Sequence, residues 1–359
     1  MKIIVNSVIN TNEGITKHAR EEVKELKKQG HDIFLYNTFY SSMFDKDDIL
    51  KQCFSPIDVS TDDYIMYIVQ PPIRENNLSM SLAGNINHKK LVYFLAFESE
   101  LPANWVEVIN KSSASLVLVP STYCVNTFKK SGVKKEIKVL PHGVDLKPST
   151  TNDMVFPQDE GFRYLWSGTA HNRRKGLIYL LNIWDKVLEK YPNSYLYIKI
   201  NPIYGIDQGH NALLEKLQHM KNVAIITQQL SDEQMKELFT KVDCYVSPHL
   251  SEGFGMQMLE AMATETPIIC SSWSGNMDFC NKRNAYLIKS RGKIAVNEYI
   301  YQDIEWQLPD ERDFLLKMIE VQQNHKKRKK IIKEGLKTAQ QYSWKKIGKQ
   351  LEKYLQSVK

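Results

Sequence analysis

The chain of 359 residues has no long hydrophobic run: the longest unbroken apolar stretch, Leu91 to Phe97, is seven residues. A membrane-crossing helix needs about 20, so no transmembrane helix is expected. It is also poor in cysteine. Cys53, Cys124, Cys244, Cys270 and Cys280 are odd in number, widely spaced and free of any C-x-x-C, which argues against a disulfide framework or a zinc site and predicts reduced core thiols. Several signatures are missing as well: G-x-x-x-x-G-K-[ST], H-E-x-x-H, G-x-S-x-G, and G-x-G-x-x-G after a strand. The common ATPase, metalloprotease, esterase and dehydrogenase classes are therefore set aside. Ile3-Ile4-Val5 is followed at once by Asn6, Ser7 and Asn10, too polar for the core of a secretory signal, so a cytoplasmic location is expected. Asp45-Lys46-Asp47 has two carboxylates at metal-ligand spacing but no further ligands nearby, and we assign no metal.

The charge is unevenly placed. The net charge is +7, yet residues 321–359 carry a balance of +10 and residues 1–320 one of −3. A body of that sign gives no reason to expect nucleic acid as a partner. The run Lys326-Lys327-Arg328-Lys329-Lys330, with Lys333, lies in helix-compatible sequence. It reads either as a solvated helical face or as a peripheral contact with anionic membrane, to which each basic group adds about 1 kcal/mol.

What the sequence does have is a repeated strand–helix alternation, which predicts an α/β fold of two Rossmann-like domains. Lys2–Val8 reads as a strand, and residues 15–29 place Ile15, Ala19, Val23 and Leu26 on one helical stripe ended by Gly30. Strands over His31–Tyr36, Tyr64–Val69, Leu91–Phe97, Leu116–Val119 and Ile137–Leu140 follow, with a helix over Thr122–Lys130. The pattern restarts after the polar stretch Pro148–Gly161. Phe162–Trp166 is a strand, and Leu177, Leu180, Leu181, Trp184, Val187 and Leu188 mark a long helix. Strands are predicted at Tyr195–Ile200, Val223–Ile226, Cys244–Val246 and Ile268–Cys270, before a helix-rich tail from about Pro309. The domains are thus 1–150 and 151–342, with an amphipathic helix at 343–359 carrying Trp344, Ile347, Leu351, Tyr354 and Leu355.

Two segments carry chemistry. In SEGFGMQMLEAMATETP, Glu252 and Glu260 flank seven residues, and Gly253 and Gly255 stand just before an apolar helical pattern. A loop entering a helix in this way lets backbone approach a ligand and offers free amides to an anion such as a diphosphate. In WSGTAHNRRKG, Gly168 ends a strand, and Arg173, Arg174 and Lys175 precede a helix. Cations at that end oppose the helix dipole, which an anion in the site would explain. The plainer alternatives are a glycine turn with solvated glutamates and a set of ordinary exposed charges.

SEGFGMQMLEAMA resembles the E-x7-E signature of retaining GT-B glycosyltransferases of the group 1 type, family four. Other segments agree in order. Leu140-Pro141-His142-Gly143-Val144-Asp145 resembles the family's P-x-G-V-D turn, Arg174-Lys175-Gly176 its phosphate-binding segment, and Trp273–Phe279 its G-x-x-[ED] loop. Gly14-Ile15 resembles its glycine-rich first loop, and Glu98–Pro102 and Val119-Pro120-Ser121 resemble segments of a subgroup. The pattern departs at Glu13, where the family often has a first glycine, and at Thr169, where many members have Arg.

The resemblance implies a GT-B fold: two Rossmann-like domains facing across a cleft, the first binding acceptor and the second nucleotide-sugar, with the C-terminal helix crossing back to the first. It implies transfer of a hexose-type sugar, with retention, from a UDP- or GDP-linked donor to a hydroxyl of a glycan or glycolipid. No essential metal and no cofactor beyond the nucleotide-sugar co-substrate are expected. Glu252, Lys175 and Arg174 would form the catalytic set, with Arg173 the alternative to Arg174 as the second phosphate ligand. Gly14, Gly168 and the segment Gly253, Phe254, Gly255, Met256 would line the donor, Glu260 would hold the ribose hydroxyls, and Glu252 would orient the transferred sugar. On the acceptor side stand Glu98, whose alternative is to cap the following helix, and His142, whose alternative is to pack a turn. Two other functions stay open: a catalytically silent GT-B binding or assembly subunit, and a GT-B nucleotide-sugar epimerase.

Overall fold

The computed structural model describes residues 1–7, 9, 14–36, 47–54, 64–70, 89–153, 160–169, 173–200, 215, 217–298 and 301–358. The first run of elements is β1 (Lys2–Asn6), α1 (Gly14–Lys28), β2 (Asp32–Tyr36), α2 (Asp48–Lys51), β3 (Tyr64–Gln70), β4 (Lys90–Leu95), α3 (Ala103–Lys111), β5 (Ala114–Val119), α4 (Thr122–Lys130) and β6 (Ile137–Val139). The second is β7 (Phe162–Gly168), α5 (Leu177–Lys190), β8 (Ser194–Ile200), β9 (Val223–Ile226), α6 (Asp232–Thr240), β10 (Cys244–Ser247), α7 (Met256–Ala263), β11 (Ile268–Ser271) and β12 (Tyr286–Ile288). A hairpin of β13 (Ser290–Glu298) and β14 (Tyr301–Pro309) and the helices α8 (Glu311–Gln323), α9 (His325–Ala339) and α10 (Trp344–Ser357) complete it.

The first compact unit comprises residues 1–143, 298–302 and 342–359. Its six-stranded parallel sheet has the order β2-β1-β3-β4-β5-β6. A parallel sheet is covered on both faces, and the strands show it residue by residue. Ile3, Val5, Ile65, Tyr67 and Val69 enter one core cluster, while Ile4, Met66 and Ile68 enter the other. The C-terminal α10 belongs to this unit: Ile347, Leu351 and Leu355 share a cluster with Ala19, Val23 and Leu26 of α1.

The second unit comprises residues 144–297 and 303–341, around the parallel sheet β12-β11-β10-β7-β8-β9. The helical stripe read from the sequence is the buried face of α5, with Trp184 and Leu180 fully enclosed against Leu196, Ile198 and Met318. The first unit ends earlier than the expected boundary at 150, because the chain is tied to α6 as soon as it leaves the turn. Asp145 is 2.7 Å from the Lys236 ammonium, and the Thr150 N–H and Thr151 hydroxyl donate to Glu233 and Glu237, each at 3.0 Å. The β13–β14 hairpin was not anticipated. Its buried residues Val296, Ile304 and Trp306 are scattered among charged ones, too sparse a pattern to stand out before the helical tail.

All five cysteines are free thiols and buried, as the sequence suggested. Among the described residues no helix is long and apolar enough to cross a membrane. Leu351 is fully buried between α10 and the sheet, so Leu351→Ala is expected to destabilise the first unit by about 2–5 kcal/mol through transfer and cavity terms. Leu351→Met should cost less than about 1.5 kcal/mol, and thermal melts of the two variants check the ordering.

Candidate functional site

In the second unit the direction of chain progression along the sheet reverses between β7 and β10. Loops leaving the carboxyl ends of strands at such a switch point are the usual ligand site of open α/β sheets. Here β7 leads to the 3-10 turn Arg173–Lys175, and β10 leads to Pro248–Gly255. The two loops are joined by backbone: the Leu250 N–H donates to the Arg174 carbonyl at 2.7 Å. Gly176, at φ 72°, makes that approach feasible, because a Cβ there would lie 1.9 Å from the Pro248 carbonyl oxygen.

Side chains complete the junction. The Lys175 ammonium pairs with Oε1 of Glu252, and the Arg174 guanidinium is 3.4 Å from Oε2 while donating to the Ser251 carbonyl at 3.0 Å. Glu252 is 7% exposed. Burial alone would push its carboxyl up, but the charges of Lys175 and Arg174 outweigh that and hold it at about 2. Two cations around one carboxylate leave the cluster with a net positive charge.

A third loop, after β11, fixes the backbone of Glu252. Its N–H donates to the Ser274 hydroxyl at 3.1 Å, and its carbonyl accepts from the Gly275 N–H at 2.9 Å. Any Cβ at Gly275 would lie 2.0 Å from the Gly253 carbonyl oxygen, so the loops touch through bare backbone. Ser274 has φ 70° and ψ −157°, a sparsely populated region that costs about 1–3 kcal/mol in a non-glycine residue. The Glu252 bond, and its own hydroxyl bond to the Trp273 carbonyl at 2.6 Å, hold it there. Beneath lies His249, fully buried, with Nε2 3.1 Å from Asn276 Oδ1 and Nδ1 3.1 Å from the Ser247 hydroxyl. Burial lowers its pKa, which favours the neutral ring.

The structure thus brings together Glu252, Lys175 and Arg174, with Gly168 directly beneath the Lys175 stem at the end of β7. Arg173 lies on the exposed side of the same turn, which distinguishes it from Arg174. Gly253, half-buried, leads to Phe254, buried against Phe279 at 4.9 Å. Gly255 is the N-cap residue of α7 and contributes no side-chain cap, so Met256 opens the helix with its first-turn amides uncapped by side chains. Glu260 is half-buried on α7. The remaining candidates belong to the first unit. Gly14 is exposed at the start of α1. Glu98 does not cap α3, whose N-cap residue is Pro102 with no side-chain bond; instead Glu98 accepts from the Tyr301 hydroxyl, and the Tyr301 ring stacks on Phe97 at 5.5 Å. His142 is buried, edge-on to His18 at 4.4 Å and to Phe94 at 5.6 Å. Asp45 and Lys46 lie outside the described residues, and so does the segment 170–172.

Sequence reasoning missed His249, whose only signal is polarity after an apolar strand; Ser274 and Asn276 lie in the Trp273–Phe279 loop that the sequence picked out, but with no role given to them.

A carboxyl lowered from 4.5 to about 2 on folding contributes stability that is fully present above about pH 4.5 and is lost as the pH falls toward 2, up to about 3 kcal/mol. Denaturant melts of the ligand-free protein between pH 5 and pH 3 should show this loss. Glu252→Gln should be less stable at pH 7 and flatter over that window.

Residues 161–302 match the family described as Glycosyl transferases group 1. A curated relative, glycosyltransferase 1 domain-containing protein 1 of Xenopus tropicalis, is 31% identical over 155 residues, which are 40% of this chain and 43% of that protein. A second, the MMP alpha-(1->4)-mannosyltransferase of Mycolicibacterium hassiacum, is 24% identical over 48% of this chain and 41% of its own length. The chain therefore matches less than half the length of either relative. Among solved structures, Anabaena HepE in complex with UDP-glucose superposes with a TM-score of 0.74 at 16% identity, covering 99% of this chain and all of that one. The fold of two parallel six-stranded sheets is shared over the whole length, and residues 161–302 are a glycosyl transferases group 1 domain in a chain of the GT-B fold class.

Proposed function

We propose that the chain is a metal-independent, retaining glycosyltransferase that moves a hexose-type sugar from a UDP- or GDP-linked donor to a hydroxyl of a glycan or glycolipid. The observation that carries the reading is the junction of Lys175, Arg174 and Glu252 beside the amino end of α7, within the group 1 domain. Charge that grows on a leaving diphosphate is best stabilised by preorganised cations and amides, and this chain has both on adjoining loops. The donor's diphosphate would compete with Glu252 for Lys175 and Arg174, freeing the carboxylate for the sugar hydroxyls. Glu260, one turn into α7, is suited to ribose hydroxyls. With the leaving phosphate oxygen accepting the acceptor's proton on the same face, no protein nucleophile is needed. Gly14 is a further candidate for donor binding, and Glu98 and His142 are candidates for acceptor binding. The HepE complex holds UDP-glucose and the Mycolicibacterium relative is named for mannose transfer, which supports a hexose donor here.

Thermal-shift titration with UDP, GDP, ADP and TDP tests the reading, because a ligand bound to the folded state raises its apparent stability. One nucleotide should stabilise the wild-type chain at millimolar concentration, and Lys175→Ala and Glu260→Ala should each abolish that shift. A silent binding subunit would show no such response.

The acceptor of a cytoplasmic enzyme of this kind can be membrane-bound, and α9 offers a means of approach. Lys327 and Arg328 are committed to Glu320, the Tyr286 ring and the Val321 carbonyl, and Lys337 pairs with Glu334, whereas Lys326, Lys329, Lys330 and Lys333 are exposed. Basic groups near an anionic surface gain about 1 kcal/mol each. Co-sedimentation with vesicles containing phosphatidylserine should therefore fall when Lys326, Lys329, Lys330 and Lys333 become glutamines; unchanged binding would leave α9 a solvated face.

A further inference from the structure

One buried cation at the carboxyl edge of the second sheet has no role in the reading above. Strand β8 reads SYLYIKI, and Leu196, Ile198 and Ile200 enter the core cluster on one face. Lys199 points to the opposite face, in register with Ser167 of β7 and Ile226 of β9. It is 7% exposed, and its ammonium donates at 2.7 Å to the Ile200 carbonyl. Among the described residues no carboxylate pairs with it. Buried lysines are rare unless paired, and burial lowers this one to about 8. Among the described residues two of its three N–H donors have no partner.

The neighbours extend a polar row in the direction of the donor site. The Ser167 hydroxyl is 3.2 Å from the Tyr245 phenol, which donates at 3.0 Å to Oε1 of Gln257 in the first turn of α7, the helix that also carries Glu260. Strand β8 stands two places from β10, whose loop leads into α7. Two strand spacings are about 10 Å, the reach of a nucleoside from its phosphate to its base.

We propose that Lys199 reads the base of the donor nucleotide by donating to a ring carbonyl oxygen, and so selects uracil or guanine over adenine. The inference rests on the donor-site reading of Lys175, Arg174 and Glu260. The chemistry is one of matched donors and acceptors. Uracil and guanine present keto oxygens, whereas the corresponding position of adenine is an amino donor that an ammonium cannot satisfy. The Ser167 and Gln257 side chains, which can both donate and accept, complete a polar lining without adding charge.

Calorimetric titration of UDP, GDP and ADP into the wild type, Lys199→Met and Lys175→Ala tests it. A hydrogen bond to a charged group corresponds to about 10- to 100-fold in affinity. The wild type is therefore expected to favour UDP or GDP over ADP by at least about tenfold. Lys199→Met should bring the ratio to within about threefold by weakening the keto base alone, with ADP affinity unchanged. Lys199→Leu, which also lacks an N–H donor, should lose the preference too, and it replaces the Met variant if melting shows that one to be unfolded. A preference retained in these variants overturns the proposal. So does an equal loss for all three nucleotides, which would mark Lys199 as a phosphate contact or a structural residue. In both cases the loss of binding in Lys175→Ala leaves the donor site standing. A wild-type chain that binds no nucleotide overturns the donor-site reading and this proposal together.

Discussion

A carboxylate taken out of water has to be neutralised where it stands, and for Glu252 that is done by Lys175 and Arg174. The two cations share the turn after β7, and the carboxylate comes from the loop after β10. Their attraction therefore acts as a constraint on backbone: the Arg173–Gly176 turn must lie against Pro248–Leu250, closely enough that only a glycine fits at 176. The loop after β11 is drawn in by the same residue, because the peptide of Glu252 bonds on both sides to Ser274 and Gly275. Even the strained backbone of Ser274 follows from this arrangement, since its hydroxyl has to meet the Glu252 amide.

That arrangement also gives the cluster its chemical character. The ionised carboxylate sits within a surplus of positive charge, at the amino end of a helix whose N-cap residue lacks a side-chain donor or acceptor. An anion entering there meets cations already positioned and backbone amides already aimed, with little reorganisation. The carboxylate that fixes this arrangement would compete with an incoming anion, and its release is part of the proposed chemistry.

Much of the framework was legible in the sequence. Thr122–Lys130 and Val223–Ile226 have the boundaries expected for them, and α5 and α10 bury the stripes that their apolar spacing marked. Strand ends differ by a residue or two, as with β4, which stops at Leu95 rather than Phe97, because the ladder ends where its neighbour does and not where apolar residues end. The hairpin of β13 and β14 escaped notice since its few buried side chains are spread among charged ones. Glu98 was open to two roles by spacing; its bond to Tyr301 comes from a residue more than two hundred positions away, a pairing no local pattern encodes.

The sequence by itself determined the alternation of strands and helices, the two glutamates that flank seven residues, and the cations that precede α5, because hydrophobic period and glycine placement act over a few residues. Tertiary structure alone decided which of the adjacent arginines, Arg173 or Arg174, turns toward Glu252. It alone placed His249 and Asn276 beneath the site and left Lys199 buried with no carboxylate beside it among the described residues. The physical reason is common to all of these: charge pairing and burial depend on distance in space, and only the packing of one loop against another sets that distance.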